Sequence, residues 1–365
     1  MKKIVIDARE LNTGSGRYVN KLIEHLQKLD KTHKYFLLIK PEDMEGFKPT
    51  NPNFMPVSCP HKEFTVSEQT ALARQIKSLK PDLVHFAFPQ QPALYAGPTV
   101  TTIHDLTTLR FSNPDKNQAV FKTKQKIYQQ LMKRVAKKSV RVIVPSEFVE
   151  EDLIDFSGIK KDKVVVTYEA ADLIKDEPKV VSELNRRDFI LYVGRSFPHK
   201  NLERLVKAFG EIQKKRPDLI LVLAGKEDGN YKRLKQFVAK ARVHNVFFTG
   251  FVNDSELKWL YENTRAYVFP SLSEGFGLPG LEAMAYGAPV VSSSATCLPE
   301  IYGGAAKYFD PYDVDDMKNA LEDVLSSNTL RNELIKKGHQ RVKKYSWIKM
   351  AKETMKVYED VLGKR

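Results

Sequence analysis

Apolar residues along this chain fall in short unbroken runs separated by longer amphipathic stretches. In the first half KIVIDA, KYFLLI, DLVHFAF, TVTTIHD and RVIVPS read as strands. Their runs are continuous rather than alternating, as strands covered on both faces require. Between them GRYVNKLIEHLQKL and SEQTALARQIKSLK carry apolar positions at helical spacing. Strand and helix in alternation predict parallel α/β layers. After KVVVTYEAAD the pattern stops at LIKDEPKVVSELNRRD, 173–188, which is polar and predicts a linker. It restarts with FILYVGR, LILVLAG, NVFFTGF, AYVFPS, PVVSSS and AKYFDP, each followed by a helix candidate. The predicted fold is α/β, with two doubly wound domains over 1–172 and 189–346. Two such domains would face each other across a cleft at their strand carboxyl ends, where ligands bind in sheets of this kind. The last helix, 347–365, is not assigned to either domain by its periodicity.

Composition agrees with two packed cores. The chain has 365 residues and is 42% hydrophobic, against about 100–200 residues per domain. No run approaches the ~18 apolar residues of a membrane span, and the N-terminus enters a strand without the apolar region of a signal peptide. Cys59 and Cys297 lie far apart without ligand spacing, so the expected setting is a reducing cytoplasm. The net charge of +14 is shared between the halves, but 116–141 carries nine Lys or Arg and no acid. Its Val120, Ile127, Leu131, Met132 and Val135 stand near helical spacing. A solvated helix with a buried stripe accounts for this. So does contact with an anionic membrane surface, or with an anionic acceptor such as a lipid phosphate. No aromatic-rich basic motif accompanies the charge, so nucleic acid is not an expected partner.

The richest chemistry lies in FPSLSEGFGLPGLEAMAYGAPVV, 269–291, where Glu274 and Glu282 stand among glycines and prolines. Pro279 suits the first position of a helix, where its missing N–H is no loss. The EGFG before it leaves backbone amides and a positive helix end open to an anion such as a diphosphate. Glu282 is expected in the first turn of that helix and Glu274 in the loop before it. Two acceptors placed so can address hydroxyls at different parts of one ligand. An acid in a first turn also complements the helix dipole without any ligand. A second loop, YVGRSFPHKNLERLV, sets Arg195 and Lys200 beyond a strand, with Asn201 expected to cap the next helix. Two cations there suit a diphosphate that gains charge on leaving, with ordinary surface charge as the lesser alternative. In the first half Gly14 and Gly16 sit between a strand and a helix, and His104 and Asp105 end a buried strand. DVDD at 313–316 resembles a metal-binding DxD, but it opens a helix, so Asp313 is read as a cap. No metal site is expected.

Together these segments resemble the large family-4 (group 1) retaining glycosyltransferases, which have the two-Rossmann GT-B architecture. The resemblance covers nearly the whole chain. Its most specific element is the spacing from Glu274 to Glu282 in PSLSEGFGLPGLEAMAYGAPVVSS. YVGRSFPHKNL, FTGFVNDSELKWLYENTRAYVFPS, TIHDL, GSGRYV and VPSEFVEEDLI follow the family order. The resemblance implies that Arg195 and Lys200 bind the donor diphosphate with backbone amides of Gly275, Phe276, Gly277 and Leu278. It implies that Glu282 holds the nucleotide's ribose and that Glu274 meets the donor sugar and its phosphate. Gly14 and Gly16 would let a loop approach phosphate or acceptor, and His104 would lie against the transferred sugar. The backbone at Phe251 and Val252 would line the base, and the helix after Trp347 would cross back onto the first domain. The implied substrates are a GDP- or UDP-linked mannose- or glucose-type donor and a glycan or lipid-linked acceptor. No cofactor beyond the nucleotide sugar is implied. Work on cell-surface polysaccharide would place the enzyme in the cytoplasm, peripherally at the inner face of the cell membrane.

For retention of configuration two routes stay open: a covalent intermediate, for which Glu274 is the nearby acid, and same-face attack with the diphosphate accepting the proton. The second is favoured. Other readings keep the fold: a sugar-nucleotide epimerase, a phosphorylase, or a non-catalytic basic protein at a membrane surface or on nucleic acid.

Overall fold

The computed structural model describes residues 1–13, 16–63, 65–111 and 118–363, excepting the side chains of 118–120 and 122. Gly14 therefore lies outside the described residues. The chain forms two compact units. One comprises Met1–Leu106, Lys124–Glu169 and Ser346–Arg365, and the other Thr107–Thr123 and Ala170–Tyr345.

The first unit is built on seven parallel strands: β1 Lys3–Asp7, β2 Lys34–Ile39, β3 Phe54–Ser58, β4 Leu83–Phe86, β5 Thr99–Thr102, β6 Arg141–Val144 and β7 Val164–Val166. Their order is β3-β2-β1-β4-β5-β6-β7, which reverses direction between β1 and β4 as in a doubly wound sheet. The interior residues of β1, β4, β5 and β6 are buried, which accounts for their unbroken apolar runs. β3 escapes a sequence reading because Pro56 interrupts it. A proline lacks the N–H that a central strand needs, and β3 tolerates one because it lies at the sheet edge. Val5, Leu38, Cys59, Leu72, Ile76, Val84, Phe86 and Tyr95 form one cluster of this core. Helix Arg17–Leu29 buries Tyr18, Val19, Leu22, Ile23 and Leu26 and packs against helix Trp347–Gly363. Arg141 holds Asp360 at 2.6 Å and His85 meets Tyr358 at 2.5 Å, so the last helix is part of this unit.

The second unit carries β8 Phe189–Val193, β9 Ile220–Ala224, β10 Val246–Gly250, β11 Ala266–Phe269, β12 Val290–Ser293 and β13 Ala306–Phe309. All are parallel, in the order β10-β9-β8-β11-β12-β13. The strands expected here all form. Helix ends follow local chemistry: Asn253 and Glu256 make a reciprocal capping box on Asp254–Asn263. Asp313 accepts from the N–H groups of Asp315 and Asp316 at 2.8 and 3.1 Å, and so caps Val314–Ser326.

The polar segment 173–188 is fastened along this unit rather than hanging free. The N–H of Ile174 donates to the Tyr286 hydroxyl. The N–H of Lys179 donates to Ser255 O at 3.0 Å, and Lys179 Nζ meets Glu256 at 3.0 Å. Leu184, in a short turn, is buried. Such links satisfy a backbone whose lack of periodicity leaves no trace of them in the sequence.

Candidate functional site

In the second unit the strand order reverses between β8 and β11, and the loops leaving the carboxyl ends of those neighbours carry most of the expected site. Ligands of doubly wound sheets bind at this switch point. After β8 the chain passes through Arg195, which is exposed, with its guanidinium 5.6 Å from the Phe197 ring centre. Tyr192 fixes this turn by donating its hydroxyl to Arg195 O at 2.8 Å. Lys200 closes a short 3-10 turn, Pro198–Lys200. Its Nζ lies 2.5 Å from Glu274 Oε1, with the side chains 17% and 14% exposed. The structure thus joins as one ion pair two residues that the sequence placed in separate loops.

Asn201 departs from its expected role. It stands at the N-cap position with a left-handed backbone (φ 61°), but its side chain makes no cap. Its Nδ2 instead donates to Pro270 O and Pro311 O at 3.0 and 2.8 Å, tying the β8 loop to the chain beyond β11 and β13. The left-handed backbone leaves the carboxamide free to serve those carbonyls.

The loop after β11 is held from behind. The N–H of Glu274 donates to Thr296 Oγ1 at 3.2 Å, and Cys297 Sγ donates to Glu274 O at 3.3 Å. The buried Cys297 thus has a structural duty in the sulfur-to-carbonyl contact. Tyr302 donates its hydroxyl to Gly277 O at 2.6 Å. Gly277 adopts φ 93°, and a Cβ there would stand 2.6 Å from that hydroxyl and 2.8 Å from Leu298 Cδ2. Both the backbone and the close approach therefore require glycine.

The helix that follows spans Leu278–Ala285, with Gly277 as its N-cap. Pro279 is its second residue, not its first, and Glu282 falls in the second turn rather than the first. The left-handed Gly277 starts the helix one residue earlier than the proline suggests. Complementing the helix dipole is accordingly not an explanation for Glu282, since that effect fades beyond the first turn. Glu282 is 8% exposed and accepts from the Tyr261 hydroxyl at 3.3 Å. Phe276 is buried, edge-on to Tyr345 with ring centres 5.5 Å apart. Its side chain belongs to the core. Phe251 and Val252 follow the edge strand β10, and Phe251 is 80% exposed.

The first unit holds His104 just past β5. Nδ1 lies 3.2 Å from Glu169 Oε1 and Nε2 lies 3.1 Å from Ala87 O. A carbonyl oxygen only accepts, so Nε2 carries a proton, and the carboxylate calls for a second on Nδ1. Burial works against that charge, but the hydrogen bond and charge of Glu169, with Asp105, prevail and raise the imidazole's pKa. Tyr18 and Phe88 enclose the ring, with centres 4.9 and 5.0 Å away. Gly16 opens helix Arg17–Leu29, and a Cβ on it would collide with the Glu10 carbonyl.

Several participants escape a sequence reading. Glu169 follows β7 and looks like the polar tail of a strand. Its available signal was position, at the same end of the sheet as His104. Arg9 is buried between Asp7 (2.7 Å) and Glu68 (2.9 Å) and donates to His61 O at 2.9 Å. It thereby binds the loop after β1 to the segment after β3 that leads into Glu68. Tyr261, Thr296 and Tyr302 reach the site across long sequence separations that no local motif marks. Among the described residues no group of three or more His, Cys, Asp or Glu is arranged to hold a metal ion.

Comparison with known proteins agrees with this geometry. Residues 12–175 match the family described as Glycosyltransferase Family 4, and residues 174–341 match Glycosyl transferases group 1. The O-antigen chain mannosyltransferase B of Escherichia coli is 29% identical over 270 residues, covering 71% of this chain and 70% of that protein. The serotype-specific mannosyltransferase WbdA of Escherichia coli is 32% identical over 229 residues, 56% of this chain but only 27% of WbdA. The chain thus corresponds to about a quarter of that longer relative. Among solved structures, sucrose-phosphate synthase from Thermosynechococcus elongatus superposes over 100% of both chains with a TM-score of 0.79 at 20% identity, which speaks for the fold. With two successive family matches laid over two Rossmann-like sheets, the chain belongs to the family-4, group 1 glycosyltransferases of GT-B fold.

Proposed function

We propose that this protein transfers a hexose, mannose in the first instance, from a GDP- or UDP-linked donor to a glycan or lipid-linked acceptor, with retention and without a metal ion. The observation that carries the reading is the Lys200–Glu274 pair at the β8/β11 switch point, 2.5 Å apart, beside Arg195 and the start of helix Leu278–Ala285. The names of its mannosyltransferase relatives favour mannose over other hexoses.

The roles follow from charge. Arg195, Lys200 and the amides of Gly275 to Leu278 receive the diphosphate, which becomes more negative as the sugar leaves. Glu282, buried and oriented by Tyr261, accepts from ribose hydroxyls. Glu274 accepts from the donor sugar, and Phe251 and Val252 adjoin the base. In the first unit His104 is assigned to the transferred sugar, and Gly14 and Gly16 to phosphate or acceptor. The anomeric C–O bond to the diphosphate breaks, the acceptor oxygen bonds to the same face of the sugar, and its proton passes to the departing phosphate oxygen. Glu274 is engaged by Lys200, which favours a recognition role over that of a covalent nucleophile. The cations supply the leaving-group stabilisation that a metal would otherwise give. The setting proposed is cytoplasmic and peripheral, at the inner face of the membrane.

The direct test is Lys200→Ala and Glu274→Ala, each assayed for transfer from GDP-mannose and other nucleotide sugars. Each variant is expected to lose about 100-fold or more in rate while keeping its circular dichroism. Full turnover by either folded variant would overturn the site.

A further inference from the structure

The loops discussed so far leave the carboxyl ends of the second sheet, but the opposite end of the same sheet carries a cavity of about 570 Å³. It opens where β8, β11 and β12 begin, and is lined by Asp188, Phe189, Arg265 and Pro289 from those starts. At about 3.3 Å per residue a five-residue strand separates it from the Arg195–Lys200 loop by roughly 15 Å. It is therefore a different place from the proposed donor site.

Its chemistry is unusual for an idle surface. Four arginines line it: Arg186, Arg187, Arg265 and Arg331. Arg265 is paired with Asp188 at 2.8 Å. Arg186 and Arg187 have no carboxylate partner among the described residues. Arg331 is held in place, its guanidinium donating to Val324 O and Leu325 O at 2.7 and 2.9 Å and to Asn328. Partial burial and the neighbouring charge of Arg265 both act to lower its pKa. The positive charge is thus crowded and incompletely answered from within the protein.

The remaining lining adds a second kind of recognition. Trp259, stacked on Phe189 with ring centres 6.0 Å apart and 9% exposed, adds a small apolar part to the lining. Asn263, Asn332 and Glu262 supply groups that pair with hydroxyls. The volume lies in the ~300–1,000 Å³ range of small-molecule sites. Guanidinium groups bind phosphate and carboxylate with two parallel hydrogen bonds, and carboxamides suit the hydroxyls of a sugar.

We propose that this cavity is a second binding site, for a small anionic sugar: a hexose bearing a phosphate or a carboxylate. The site is independent of the donor loops and of the identity of the transferred sugar.

The test is calorimetric titration of the full chain with mannose 6-phosphate and with glucuronate, alongside neutral mannose and inorganic phosphate. The two acidic sugars separate a phosphate source from a carboxylate source of the charge, and saturable binding of either supports the site. Arg186→Ser combined with Arg187→Ser, both exposed positions, should weaken that binding at least about tenfold, while Lys200→Ala should leave it unchanged. Three results would overturn the proposal: no saturable binding of either acidic sugar, binding lost in Lys200→Ala but kept in the double variant, or inorganic phosphate binding as tightly as the sugar phosphate.

Discussion

His104 and His85 belong to one unit and meet opposite fates. His85 is fully buried between the Tyr358 hydroxyl and Thr102 Oγ1, without a carboxylate, and burial lowers its pKa to about 3. His104 is only partly buried, and although burial lowers its pKa, Glu169 turns the balance and raises it above the ordinary 6.5. A raised histidine pKa contributes stability that is full below about 6.5 and is lost as pH rises through the folded value. Glu169→Gln keeps a hydrogen-bonding group but removes the charge, so burial should then dominate and pull the His104 pKa down. NMR titration of the imidazole should show this, and the alkaline limb of the transfer rate should move to lower pH with it. An unmoved limb beside a lowered His104 pKa would mean that the charge on His104 plays no part in transfer. At this scale the sequence disclosed the residues that end strands or sit in glycine loops: His104, Arg195, Lys200, Glu274 and Glu282. It concealed their partners. Glu169, Thr296 and Tyr302 lie 65, 22 and 25 residues from the groups they hold, and side-chain pairing over such separations has no periodic signature.

The elements were more legible than their boundaries. Apolar runs disclosed eleven of the thirteen strands among the described residues; the exceptions are the two edge strands of the first sheet, β3, which Pro56 disguises, and the three-residue β7. The helix of the acidic motif was foreseen, but its start was displaced by one residue, because a left-handed glycine rather than a proline begins it. That start is brittle. Gly277→Ala would force an L-residue into φ 93° and press its Cβ against Tyr302 and Leu298, at a cost of about 1–3 kcal/mol. Tyr302→Phe removes the donor to Gly277 O and should cost about 1–3 kcal/mol by leaving that carbonyl unpaired. Urea unfolding measures both. If the alanine variant is as stable as the parent, the left-handed start of this helix is not required. The basic helix Gln118–Lys138 is a mixed case. Met132 and Val135 are buried as its spacing predicts, but Ile127 is 66% exposed; the side chain of Val120 lies outside the described residues, and from Ile127 onward the stripe serves the core only toward the helix's end.

Over the whole molecule the excess of positive charge, +14, is a statement about partners rather than about folding. No helix among the described residues is long and apolar enough to cross a membrane. In the first unit, however, exposed Leu94 and Ile127 (75% and 66%) accompany the lysines of helix Gln118–Lys138, and Lys138 reaches Ala93 O at 3.2 Å. Cations beside exposed apolar groups suit an anionic bilayer surface. Anionic vesicles are therefore expected to bind the protein, and reversing the charges of Lys133, Arg134, Lys137 and Lys138 should abolish that binding. Binding unchanged by the reversal would make this helix a solvated face.

The roles proposed for the donor loops and for transfer depend on the second unit accepting a nucleotide sugar. The most direct measurement incubates the purified protein, with excess chelator and no acceptor, with a panel of GDP- and UDP-linked hexoses, and reads released nucleotide by mass spectrometry and thermal stabilisation in parallel. The account predicts that one donor, GDP- or UDP-mannose first, stabilises the protein and is slowly hydrolysed without added metal. A panel in which no nucleotide sugar stabilises the fold and none is cleaved would contradict it.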